Sequence, residues 1–156
     1  GICAQTKQSK KMKGLNDVNR KDLLNKVRQC TPDLGFDTKY PRLFGVYGIT
    51  AGGLYDGFYW FDDKLTDYGR KCGCKLLTEA TDAELLEMWA ITQDYWLGEY
   101  TEWLERSKEK SSKLDHFIDD CERMYFGYDE DGYTDETIDR VFNSIKEILN
   151  EHISHK

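Results

Sequence analysis

Ile138, Val141, Phe142, Ile145, Ile148 and Leu149 recur at intervals of three and four residues, a spacing that gathers all six on one side of an α-helix. A stripe this regular obliges the chain to supply other apolar surfaces for it to pack against. Thr134 stands where it can cap such a helix, and Asp135 and Glu136 are favourably placed in the first turn, so the spacing predicts a helix over about 134–152. Two similar segments precede it. Leu114, Phe117, Ile118, Cys121, Met124 and Tyr125 line one face of a helix expected over 112–126, opened by Ser112 and ended by Gly127. Thr81-Asp82-Ala83-Glu84 has the form of a capping box, and Leu85, Met88, Trp89, Trp96, Tyr100 and Trp103 continue behind it to about 110, with a bend expected at Gly98.

The first half reads differently. A short helix is expected to open at Asn19, carry Leu23, Leu24, Val27 and Cys30, and stop at Pro32. From Arg42 to Thr78, glycines alternate with Tyr, Phe and Trp, and such punctuation favours strands and turns. The expectation is a small antiparallel β-meander over about 42–77, with strands near 42–49, 55–61 and 70–77. The helical spacing of Leu54, Phe58, Phe61, Leu65 and Tyr68 leaves a helix open for the middle segment. The fold class expected is α+β. Residues 1–15 are basic and aperiodic and are expected to form a disordered arm, within which Met12 is a candidate native start, followed by one domain over 16–156. A chain of 156 residues has enough length for one substantial core.

The net charge of −7 conceals an asymmetry. Residues 1–30 hold eight Lys/Arg and two Asp, whereas 79–139 holds 19 Asp/Glu against five Lys/Arg. A field of that sign repels nucleic acid and anionic membranes and attracts cationic partners, so no direct nucleic-acid or membrane binding is expected. Five cysteines without a framework spacing point to reduced thiols and a cytoplasmic setting, an expectation that a signal peptide removed ahead of Gly1 would reverse.

Four groups of residues bear on chemistry. Cys72-Gly73-Cys74 offers two thiols on a turn that could share zinc or form a reducible pair, with Cys30 or Cys121 as further ligands; the plainer alternative is a set of ordinary thiols. Asp129-Glu130-Asp131-Gly132 has part of a calcium loop, but aligning its glycine puts Gly127 and Ile138 where two main ligands belong, which favours a solvated loop. Glu84 with Glu87, Glu99 with Glu102, and Glu136 with Asp139 sit three apart and so project from one helix face. These pairs resemble the ExxE and ExxD pattern of all-α nucleotide pyrophosphohydrolases, a likeness of six residues that implies magnesium held against a phosphate chain; the glycine-aromatic stretch is foreign to that family. Finally, Trp60 and its neighbours, and Tyr95, Trp96, Tyr100 and Trp103, are more rings than one helix or strand face holds.

No P-loop, dinucleotide fingerprint or nucleophile elbow is present. The leading expectation is a non-catalytic module without a cofactor, an adaptor, inhibitor or immunity-type protein, with a nucleic-acid-imitating decoy as a special case. It would present Trp60, Tyr95, Trp96, Glu99, Tyr100, Glu102, Trp103, Asp129 and Asp131 to a protein with a basic surface. The alternatives are a divalent-metal nucleotide hydrolase using Glu84, Glu87, Glu136 and Asp139, and a zinc or redox module using Cys72 and Cys74.

Overall fold

A computed structural model describes residues 15–32, 36–49, 59–61, 63–107, 113–126 and 135–154. The first helix, α1 (Asp17–Cys30), begins one turn earlier than Asn19: the side chain of Asn16 accepts the Asn19 N–H at 2.8 Å, so Asn19 is the capped residue and Asn16 the cap. Both asparagines are competent caps, and the earlier one adds three hydrogen-bonded residues. The helix ends at Cys30 with Thr31 as its C-cap, immediately before Pro32, and buries Leu23, Leu24, Val27 and Cys30 as the spacing requires.

Among the described residues helices are combined with one antiparallel strand pair, and the α+β class holds. The pair is short, β1 (Trp60–Phe61) with β2 (Lys64–Leu65), Trp60 standing opposite Leu65 and Phe61 opposite Lys64. The segments expected as outer strands are not strands. After a one-turn helix α2 (Phe36–Lys39), residues 41–44 turn and Gly45–Tyr47 form a 3-10 helix. Around 70–77 the chain instead completes a short helix α3 (Asp67–Lys71), capped by Thr66, whose hydroxyl accepts the Gly69 N–H at 3.0 Å. Residues 55–58 lie outside the described set.

The glycines explain the departure, since two of them serve close approach rather than hairpin turns. A Cβ at Gly69 would lie 2.0 Å from the carbonyl oxygen of Tyr59, and one at Gly48, whose φ is +67°, would lie 2.8 Å from the Tyr59 Cβ. Tyr59 thus runs against both positions, and its carbonyl accepts the Thr66 N–H at 3.0 Å.

A 3-10 turn at Leu77–Glu79 leads into α4 (Asp82–Arg106), followed by α5 (Lys113–Phe126) and α6 (Asp135–Ser154). These three bounds agree with the expected helices to within a few residues, and the capping box is formed: Thr81 Oγ1 accepts the Glu84 N–H at 3.1 Å while Glu84 accepts the Thr81 N–H at 3.0 Å. No helix among the described residues is long and apolar enough to cross a membrane.

The chain falls into two compact units, one up to Ala90 and one from Ile91, the boundary lying inside α4. In the first, the buried residues include Leu23, Leu24, Val27 and Cys30 of α1 together with Phe44, Tyr47, Ile49, Trp60, Leu77, Leu85 and Met88. Arg20 ties α1 to the start of α4, its guanidinium reaching the Asp82 carboxylate at 2.5 Å and the carbonyls of Thr78 and Ala80. In the second unit, Trp96, Tyr100 and Trp103 of α4 and Phe117, Ile118 and Cys121 of α5 are buried, as are Val141, Phe142, Ile145, Ile148 and Leu149 of α6. Tyr100, Trp103 and Phe117 form a mutual ring cluster with centroids 5.1–6.2 Å apart, and Lys146 of α6 reaches Asp115 of α5 at 2.6 Å.

Candidate functional site

Burial sorts the expected surface residues into two kinds. The rings are interior: Trp96 is 0% exposed, Trp60, Tyr100 and Trp103 are buried, and Tyr95 is half-buried with its ring edge-on to Trp96 at 5.0 Å. The excess of aromatics over one helix face is used for packing, and Trp103 satisfies its only polar atom by donating from Nε1 to Asp120 at 2.7 Å. The carboxylates go the other way. Glu87, Asp94, Glu102, Glu105, Asp115, Asp119 and Asp139 are exposed, and Glu99 is half-buried. Asp129 and Asp131 lie outside the described residues.

Charge follows the division into units. Residues 1–90 hold fourteen Lys/Arg against twelve Asp/Glu, a net of +2, while 91–156 holds eight against seventeen, a net of −9. The acidic character of the chain is therefore a property of its second unit.

The paired carboxylates do not make a common site in what is described. Glu84 is consumed by its cap and by the Tyr47 hydroxyl, which donates to both carboxylate oxygens at 2.9 Å. Those bonds to the charged form, the Thr81 N–H first, hold its carboxyl below the ordinary value, while burial, and next the bond to Glu84, pushes the Tyr47 hydroxyl up to about 12. Glu87 points to solvent from the same helix. Asp139 is exposed, and the side chain of Glu136 lies outside the described set. Burial raises the Glu122 carboxyl, helped by the nearby charges of Asp119 and Asp139.

Cys72 and Cys74 flank Gly73, whose φ of +76° turns the chain; Cys72 is exposed and Cys74 half-buried. Burial, and next the neighbouring Cys72, push the Cys74 thiol up, which lowers its share of the thiolate that metal binding and exchange require. Cys30 is fully buried in the core of the first unit, and burial in the second pushes Cys121 up to about 12. Among the described residues, no three His, Cys, Asp or Glu side chains are grouped so as to hold a metal ion.

One feature of the first unit had no motif to announce it. Lys21 and Arg28, two turns apart on α1, line a cavity together with Arg20, and Arg28 lies over the Trp60 ring with its guanidinium carbon 5.4 Å from the ring centre. The clue available in the sequence was the basic spacing Arg20, Lys21, Arg28 on the polar side of an amphipathic helix. No protein-family model, curated protein or solved structure matches the chain.

Proposed function

We propose that the chain is a non-catalytic binding module whose second unit, residues 91–156, engages a partner protein through an acidic, solvent-facing helical surface. The observation that carries this reading is the separation of roles along α4 to α6: rings are withdrawn into the interior while carboxylates such as Asp94, Glu102, Glu105, Asp119 and Asp139 remain in water. Charges left hydrated and clustered in sign give long-range attraction to an opposite surface and a fast encounter, more than they give stability to their own fold. A net of −9 on 66 residues selects a cationic partner. The occupation of Glu84 by its cap and by Tyr47 supports this reading over the carboxylate-hydrolase alternative, since a side chain whose two oxygens are engaged by the Tyr47 hydroxyl and the Thr81 N–H is poorly available to a metal.

The test is binding to a basic protein partner measured across ionic strength. Replacing Glu102, Glu105, Asp119 and Asp139 by their amides is expected to weaken the association by about tenfold or more and to flatten its salt dependence. An association with undiminished strength in this variant rules out the acidic surface as the contact.

A further inference from the structure

In the first unit, one face of α1 borders a cavity of about 310 Å³ whose other wall is formed by Asp63 and Thr78. Three cations line it, and they are not equivalent. Arg20 is engaged at both terminal nitrogens, bonded to the Asp82 carboxylate and to the carbonyls of Thr78 and Ala80. Arg28 is not. Its guanidinium is paired through one terminal nitrogen with Asp63, which is itself largely exposed at the hairpin turn, and its Nε is buried without a hydrogen-bond partner among the described residues. A guanidinium has five N–H donors in a planar fork suited to an oxyanion, and a single exposed carboxylate leaves that capacity largely unused. Lys21, exposed at the rim, has no ion-pair partner among the described residues. Leu24, buried between the two basic positions, supplies an apolar floor.

We propose that this cavity is a binding site for a small phosphomonoester, its phosphate held between Lys21 and Arg28 and its organic body lying over Leu24. Three features favour that chemistry. The volume is at the small end of ligand pockets, suited to a molecule of roughly one ring and one phosphate. The two under-used cations match a dianion, whereas a simple carboxylate would only replace Asp63. The Trp60 ring behind Arg28 holds the guanidinium plane in place, so little ordering remains to be done when the anion arrives. Asp17 and Asp63 also line the site, and their charge opposes the ligand. Asp63 therefore acts as an occupant that the phosphate displaces.

The experiment is a titration of the full chain with phenyl phosphate, followed by backbone amide resonances and by calorimetry, with benzoate as the monoanionic comparison. Phenyl phosphate is expected to shift the amides of residues 20–28 and 63 and to bind more tightly than benzoate. Lys21→Gln, at an exposed position that leaves the fold intact, is expected to weaken binding about tenfold, the loss of one charged hydrogen bond. Asp63→Asn is expected to tighten it, an outcome that a merely structural Arg28–Asp63 pair would not give. A phosphoserine peptide serves as a further arm: binding of phenyl phosphate that exceeds that of the peptide supports a small-molecule ligand, and the reverse overturns it. Absence of shifts at millimolar phenyl phosphate in both the native chain and Asp63→Asn, or equal affinity in Lys21→Gln, overturns the site. These readouts are confined to the first unit and are independent of the acidic surface of the second.

Discussion

Glu84 closes the capping box of α4 and accepts the Tyr47 hydroxyl, so one carboxylate joins the helix start to the 3-10 turn. Glu84→Ala is expected to cost about 1–2 kcal/mol in denaturant unfolding, the usual range for a lost cap plus an unsatisfied partner. Its pH signature has a definite sign. The folded carboxyl lies below the ordinary 4.5, so its contribution is present above that value and is lost as pH falls through the folded one. Acid unfolding of Glu84→Gln should accordingly be less pH-dependent below 4.5 than that of the native chain, and identical acid profiles would contradict the assignment. Cys121 has the opposite sign, because burial raises its thiol from 9.0 to about 12; the stability it contributes is present below 9 and lost as pH rises towards 12. In a Cys3→Ser chain at pH 8, a thiol reagent should label exposed Cys72 rapidly, while Cys121 and Cys30 react only on unfolding.

Helices α4, α5 and α6 were legible because their apolar positions repeat with the helical period over more than ten residues each, and burial follows: Val141, Phe142, Ile145, Ile148 and Leu149 are all interior. Phe142→Ala should therefore be among the most damaging changes, costing about 3–5 kcal/mol. Thr92 was not legible, since nothing in its type distinguishes a polar residue that continues the Leu85, Met88, Trp96 stripe and is fully buried from one that interrupts it. The region from 42 to 78 was harder still. Its glycines carry the same local signal whether they make hairpin turns or admit another strand of backbone, and only the position of Tyr59 decides between the two. Gly69→Ala tests that reading: with the Tyr59 carbonyl oxygen 2.0 Å from the added carbon, a loss of several kcal/mol or failure to fold is expected, against a gain of about 0.4–1 kcal/mol for an ordinary helical glycine. The cavity on α1 escaped sequence reasoning because its opposite wall, Asp63 and Thr78, is distant in the chain and bears no motif.

Taken together, the chain separates its charges: a first unit of +2 with under-used cations around a cavity, and a second of −9 whose carboxylates are hydrated. Self-repulsion within the second unit is tolerated because its interior is dense in rings, Trp96, Tyr100, Trp103 and Phe117 among them, and because Lys146 and Arg123 each neutralise an aspartate across or along the helices. Added salt should therefore stabilise the fold modestly while weakening association with a cationic partner, two opposite responses from one charge distribution. Immobilising the full chain beside an unrelated protein of the same net charge, then eluting bound proteins with sodium chloride rising from about 0.1 M, where charges act over about 10 Å, towards 1 M, where the reach falls to about 3 Å, separates the possibilities. The acidic-surface account predicts a basic protein retained by this chain, absent from the control, released as salt rises and lost when Glu102, Glu105, Asp119 and Asp139 are neutralised. A partner that persists through high salt and binds the neutralised variant equally well would contradict it.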